Sequence, residues 1–402
     1  MASKVVRVHQ QPFSVHFHPT KQLFAVGLIN GQIKIYDFAG DAPCKASSAR
    51  PHADACRAVR FSPAGTGLFS AGSDCSLQLR DLESNKPAWR KKGAHETPIN
   101  AIVELEEIGV GSGDDSGVVK LWDLRTRKLA LQFQENTDFI ADMLYTQHKG
   151  NTLAVASGDG CLSVFDLRAG RLFARSDPLD DELLSLALLK GGRKLICGCQ
   201  SGTVGIFSWG DFGDVSDRLL GHPESVDAIV PISDDVILTG SSDGMIRVVG
   251  VHPNKVLGLV GDHEDLPVEE LAIDSGKTTL ASCSHDNTVR LWDVEYLQGL
   301  KFTSKGLVAD TNSDCDDDES SGDEDSDAEP DAGAASTEEK SESQRLPHGK
   351  RKLTSGDQGN HEPASSSVDD GHVETPVERK APRQLVNKNA AIKMPSDFFG
   401  DL

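Results

Sequence analysis

Thr288-Val289-Arg290-Leu291-Trp292-Asp293 alternates apolar and polar side chains and stops on an aromatic-acid pair. Period-2 alternation marks a half-buried β-strand. The same ending recurs upstream as Tyr36-Asp37, Trp122-Asp123 and Phe165-Asp166, with Arg80-Asp81, Phe207-Ser208 and Val249-Gly250 as weaker forms. The second positions (37, 81, 123, 166, 208, 250, 293) are separated by 44, 42, 43, 42, 42 and 43 residues. A self-similar period of roughly 40–45 residues is one supersecondary unit repeated, and units of this length built from alternating β-strands are four-stranded propeller blades. The predicted fold is all-β, a propeller of seven blades.

The runs 13–38, 58–82, 99–124, 140–167, 184–209, 226–251 and 268–294 share one grammar: an alternating strand, a Ser/Gly-rich strand, a tight turn and a second alternating strand. The turns read Asn30-Gly31, Ser73-Asp74, Asp115-Ser116, Asp159-Gly160, Ser201-Gly202, Asp243-Gly244 and Asp286-Asn287. Asn-Gly and Asp-Gly suit two-residue hairpins, since both residue types tolerate positive φ. With its terminal Trp-Asp, the unit resembles the WD40 repeat. In the last unit His263, Ser282, Asp286 and Trp292 match that repeat's His–Ser–Asp–Trp hydrogen-bond network, and His52, His95 and His222 open other units in the same way. Recurrence from unit to unit assigns these residues to the scaffold and not to a catalytic triad. A ring needs an outermost strand for its last blade, and 4–8 and 299–303 are both suitable.

Charge divides the chain. Residues 1–302 hold 30 Lys+Arg and 39 Asp+Glu (30 − 39 = −9); residues 303–402 hold 11 and 23 (11 − 23 = −12). The first stretch reads as the propeller and the second as a solvated, disordered tail. Between 310 and 342 lie 15 acidic residues and one basic, Lys340. This run is either a solubilising tail or a lure for basic nucleolar, ribosomal or histone proteins. Ser313, Ser320, Ser321 and Ser326 each have an acid three positions on, the spacing an acidophilic kinase reads. Lys350-Arg351-Lys352 is a short nuclear-import candidate. Phe398-Phe399 reads as a docking peptide or as a terminus folded back on the propeller. A whole-chain charge of −21 argues against a general nucleic-acid-binding body.

No phosphate loop, nucleophile elbow or His-Glu-x-x-His motif is present, and no carboxylate spacing singles out an acid/base pair. The expectation is a protein with no catalytic site, cofactor, metal or small-molecule substrate. Met1–Gln10 has no apolar core of a signal peptide, and no run approaches a membrane span. Eight cysteines show no paired zinc spacing; Cys197 and Cys199 share a strand face and read as small buried thiols of an intracellular protein.

Leu121-Trp122-Asp123-Leu124-Arg125 and Val164-Phe165-Asp166-Leu167-Arg168 set an arginine just past a strand. The Trp-Asp-x-Arg form resembles the box of WD40 substrate receptors that dock on the damaged-DNA-binding adaptor of cullin-4 ubiquitin ligases. That resemblance makes Trp122, Asp123, Arg125, Phe165, Asp166 and Arg168 adaptor-binding candidates. Together with Phe13-Ser14-Val15-His16-Phe17-His18-Pro19, Ala25-Val26-Gly27-Leu28-Ile29-Asn30-Gly31, the acidic tail and the Phe-Phe-x-Asp-Leu end, these boxes make the chain similar to the WD repeat-containing protein 55 family. The resemblance implies a nuclear, nucleolar protein of ribosomal RNA processing, working as a non-enzymatic scaffold among pre-ribosomal assembly factors. The ligase-receptor role is the alternative.

Overall fold

The computed structural model describes residues 4–106, 109–148, 150–298, 300–303 and 306–309. The tail candidates Ser313, Ser320, Ser321, Ser326, Lys350, Arg351, Lys352, Phe398 and Phe399 lie outside them. Seven four-stranded antiparallel sheets follow one another as blades 1 to 7. In each, an innermost strand lines the axis: Pro12–Phe17, Cys56–Phe61, Ile99–Leu105, Ile140–Thr146, Leu183–Leu189, Val226–Pro231 and Val268–Ile273. Among the described residues the only helical element is a 3-10 turn, Glu295–Leu297.

Lys4–Arg7 closes the ring. It pairs antiparallel with Thr288–Asp293, Lys4 facing Leu291 and Arg7 facing Thr288, and so becomes the outermost strand of blade 7. Val6 and Val8 are buried there beside Phe17 and Phe24 of blade 1. The rival stretch forms a separate hairpin, Leu300–Thr303 with Gly306–Ala309. Closure removes the free edge that would otherwise template pairing with another chain.

The core lies between blades more than within them. One apolar cluster joins Leu121 and Leu131 of blade 3 to Met143, Leu153 and Phe165 of blade 4, and six others also knit the ring. Phe165, which replaces the usual tryptophan, is fully buried and stacks on Phe133 with centroids 4.2 Å apart. Second strands such as Gly109–Asp114 and Thr152–Ser157 are buried at every position, because neighbouring blades cover both faces. That is why they read as small-residue runs with little alternation.

The turns differ from the two-residue expectation. In blade 1 the Gly31 N–H donates to Leu28 O and the Leu28 N–H to Gln32 O, enclosing three loop residues. Positive φ falls on the third of these in every blade: Gly31, Cys75, Gly117, Gly160, Gly202, Gly244 and Asn287. This is a type I turn closed by one left-handed residue, and it needs one permissive position where a type I′ turn needs two.

Each surviving terminal Asp serves its own loop. Asp37 accepts the Ala39 N–H, Asp81 that of Ser84, Asp123 those of Arg125 and Thr126, Asp166 that of Ala169 and Asp293 that of Glu295. The aromatic-acid ending is thus a strand followed by a side-chain-capped turn.

Candidate functional site

Two faces follow from the topology. The upper face carries the turns between second and third strands and the connections between blades. The lower face carries the loops between first and second and between third and fourth strands.

Below the upper surface, His263 Nδ1 lies 2.9 Å from Asp286 Oδ2 and Nε2 lies 2.7 Å from Ser282 Oγ, while Trp292 Nε1 donates to the same Oγ at 2.8 Å. Blade 3 repeats the network with His95, Ser112 and Trp122 at 2.7–2.9 Å. Its acid is Asp114, not a residue of the predicted turn: Ser116 stands where Asp286 does and donates to Asp114 Oδ1. Burial opposes the Asp114 charge, yet hydrogen bonds from His95, Val118 N–H and Ser116 hold its pKa down at about 2. Burial lowers the His95 pKa, with Asp114 resisting. Blade 2 keeps His52, Asp74 and Ser70 without a tryptophan. In blade 6 Arg247 takes Asp243, and buried His222 Nδ1 has no hydrogen-bond partner among the described residues. These networks are buried, saturated or decayed from blade to blade, and they hold the fold.

The channel mouth is built by a device no composition signal announces. Every innermost strand carries a β-bulge at its second residue, where the pairing register skips from Pro12 to Ser14, Cys56 to Ala58, Ile99 to Ala101, Ile140 to Asp142, Leu183 to Ser185, Val226 to Ala228 and Val268 to Glu270. A bulge adds an unpaired residue and re-aims its side chain. The seven residues are Phe13, Arg57, Asn100, Ala141, Leu184, Asp227 and Glu269, and all line one cavity of about 490 Å³ on the axis. Its wall is chemically divided. Arg57 bonds Asn100 and sits 3.2 Å from Asp115. Asp227 accepts from Ser225 and Ser242 at 3.1 and 2.7 Å, and Glu269 contacts His285. Burial raises the pKa of both carboxyl groups. Among the described residues no Lys or Arg pairs with either.

Deeper in, side chains stitch blade to blade. Glu270 accepts the Val15 N–H at 2.7 Å, Ser14 that of Val59 at 3.0 Å and Asp142 that of Leu186 at 2.9 Å. Arg60 Nη2 lies 2.7 Å from Glu270 Oε1; burial disfavours its charge, but Glu270, Glu104 and Asp142 more than offset that. Burial pushes Asp142 up to about 6. Burial and Arg60 push His16 down to about 3, so its Nδ1 is an acceptor for the Phe61 N–H.

On the lower face the two boxes divide the same way. Trp122 and Asp123 face inward, and Phe165 is core. Asp166 is half-buried over its own loop, while Arg125 and Arg168 project outward. Arg125 Nε lies 3.7 Å from Asp123 Oδ1 and its side chain is 45% exposed. Cys197 and Cys199 are buried as expected, but Cys44 is exposed and Cys75 half-buried; all described cysteines are free. Among the described residues no group of three or more His, Cys, Asp or Glu is placed to hold a metal, and no helix is long and apolar enough to cross a membrane.

The family model WDR55 matches residues 3–297. WD repeat-containing protein 55 of Arabidopsis thaliana is 39% identical over 295 residues, 73% of this chain and 83% of that protein. The Homo sapiens protein of the same name is 37% identical over 287 residues, 71% of this chain and 74% of its own length. WD repeat-containing protein JIP5 of Coprinopsis cinerea is 36% identical over 305 residues, 72% of this chain and 73% of that protein.

Proposed function

The chain belongs to the WD repeat-containing protein 55 family and is a WD-repeat interaction scaffold, and from that premise we propose that it works without catalysis in ribosomal RNA processing, in the nucleolus, among pre-ribosomal assembly factors. The ribosomal assignment rests on the resemblance carried by the opening strands and the paired boxes. The scaffold chemistry rests on one observation, the bulge-built mouth.

Seven side chains aimed into one opening, with Arg57 on one side, Asp227 and Glu269 on another and Phe13 and Leu184 between, suit a folded-out protein segment. Such a surface offers charge complementarity and apolar contact together. A partner's Lys or Arg entering beside Asp227 and Glu269 would satisfy two carboxylates whose ionisation burial disfavours.

The test is affinity purification of the tagged protein, comparing wild type with Asp227→Lys/Glu269→Lys. Wild type is expected to recover ribosome-assembly factors and the variant to lose most of them, with both melting at the same temperature. Equal recovery would remove the mouth as the partner site. Recovery of no assembly factor by wild type would remove the ribosomal assignment.

A further inference from the structure

We propose that the lower rim of blades 3 and 4 binds single-stranded RNA, with Arg127, Lys128, Arg168 and Arg171 holding phosphates and Phe173 stacking a base.

The loops joining third and fourth strands read Asp123-Leu-Arg-Thr-Arg-Lys128 in blade 3 and Asp166-Leu-Arg-Ala-Gly-Arg171 in blade 4. They share one backbone form, each turning through a left-handed residue at the same place, Arg127 (φ 58°) and Gly170 (φ 62°). Arg168 therefore repeats Arg125, and Arg171 repeats Lys128, one blade further round the ring. Five cations stand on the two loops. The only carboxylates there, Asp123 and Asp166, are turned in to cap their own backbones.

Arg127, Lys128, Arg168 and Arg171 are all exposed. None has a carboxylate within ion-pair distance among the described residues, whereas Arg60, Arg175, Arg247 and Arg290 are all paired. The patch is bounded on both sides. The matching loop of blade 2 keeps Lys86 in the place of Lys128 but sets Glu83 in the place of Arg125, so its charges offset, and that of blade 5 carries Asp211 and no cation. In a chain of net charge −21, a cationic strip two blades wide, with Arg127, Lys128, Arg168 and Arg171 unpaired among the described residues, marks a confined anion-binding surface.

An arginine fork fits phosphate and carboxylate alike, so the choice of polyanion falls to Phe173. On the outermost strand Arg171–Arg175 exposure alternates, so Arg171, Phe173 and Arg175 point outward together. Phe173 is 61% exposed, an unusual place for a large apolar ring. It is held edge-on by Phe212 at 6.4 Å, which Trp209 backs at 5.4 Å. A fixed aromatic face beside cations offers an unpaired base a stacking platform, and the side chains of a run of Asp and Glu bring no aromatic ring to it. RNA instead of another stacked polyanion follows from the ribosomal reading above.

Fluorescence anisotropy of the full chain with a labelled oligouridylate about 12 nucleotides long, a span that single-strand sites cover, tests this. Four phosphate contacts predict about a 50-fold weakening between roughly 50 and 200 mM salt. Arg127→Glu/Lys128→Glu/Arg168→Glu/Arg171→Glu should lose binding by more than about tenfold, and Phe173→Ala should lose about 5- to 150-fold, both with the wild-type melting temperature. Asp227→Lys/Glu269→Lys should bind RNA as wild type does. No binding by wild type, unchanged binding by the quadruple variant, or polyglutamate competing as well as RNA would each overturn the proposal. If recovery of assembly factors through the upper face survives that result, only the RNA site falls; if recovery fails too, the ribosomal reading falls with it.

Discussion

Ser282 shows how much of the fold hangs on single oxygens. Its Oγ joins His263 Nε2 to Trp292 Nε1 inside the last blade, with all three residues buried. Ser282→Ala leaves two buried nitrogens without their partner, and unmet buried polar groups cost about 1–3 kcal/mol each. Loss of roughly 2–4 kcal/mol in urea unfolding is expected, against less than about 0.5 kcal/mol for the exposed Arg168→Ala. This network was legible because all four members keep the repeat's spacing. The blade 3 counterpart was not, because Asp114 reaches the histidine from two positions before Ser116, and linear spacing does not show that a side chain flanking a three-residue loop can fill the site that Asp286 fills from the middle of one. Gly31 was readable for a simpler reason: at φ 77° with His52 O only 2.4 Å from where a Cβ would stand, no other residue fits.

At the level of strands, the Ser/Gly-rich runs and the seven unit ends correspond to the second and third strands of each blade, and the innermost strands followed from alternation. Outermost strands such as Cys44–Ala49 and Pro87–Lys91 were silent, since they are exposed on most positions and carry no apolar stripe. The bulges were equally silent. An extra residue shifts the pairing but leaves a plausible alternation on either side, so the residues that line the mouth emerge only from the register. The closing strand could not be chosen by pattern either; burial of Val6 and Val8 against blade 1 decides it. Deleting residues 1–8 removes both valines and a whole ladder. At about 1.5–3 kcal/mol per buried valine and roughly 2–4 °C per kcal/mol, calorimetry should show the melting temperature fall by about 10 °C.

Across the molecule, burial sets opposing pH dependences. His16 at about 3, His222 at about 4 and the lowered His52 and His95 are neutral when folded but titrate near 6.5 when unfolded. Their folded pKa values are depressed, so their contribution is present above pH 6.5 and is lost as pH falls towards the folded values. Asp142 runs the other way: raised from 3.8 to about 6, its contribution is present below pH 3.8 and lost as pH rises through about 6. Wild-type stability should therefore fall on acidification below about 6.5. Asp142→Asn, which keeps an oxygen for the Leu186 N–H, should gain stability over wild type at pH about 7.5 and none at about 4; denaturation curves at both values check it. An equal effect at both would mean that Asp142 carries no burial penalty.

Because Lys4 pairs with Leu291, 287 residues later in the chain, the ring has a clock in it. During synthesis at about 5–20 residues per second, the opening strand waits roughly 15–60 s before its partner exists. Through that interval six blades can stack while the seventh position stands empty and two faces of the stack remain open. The nascent propeller thus passes through a long-lived arc, and the arrival of Thr288–Asp293 converts it to a circle.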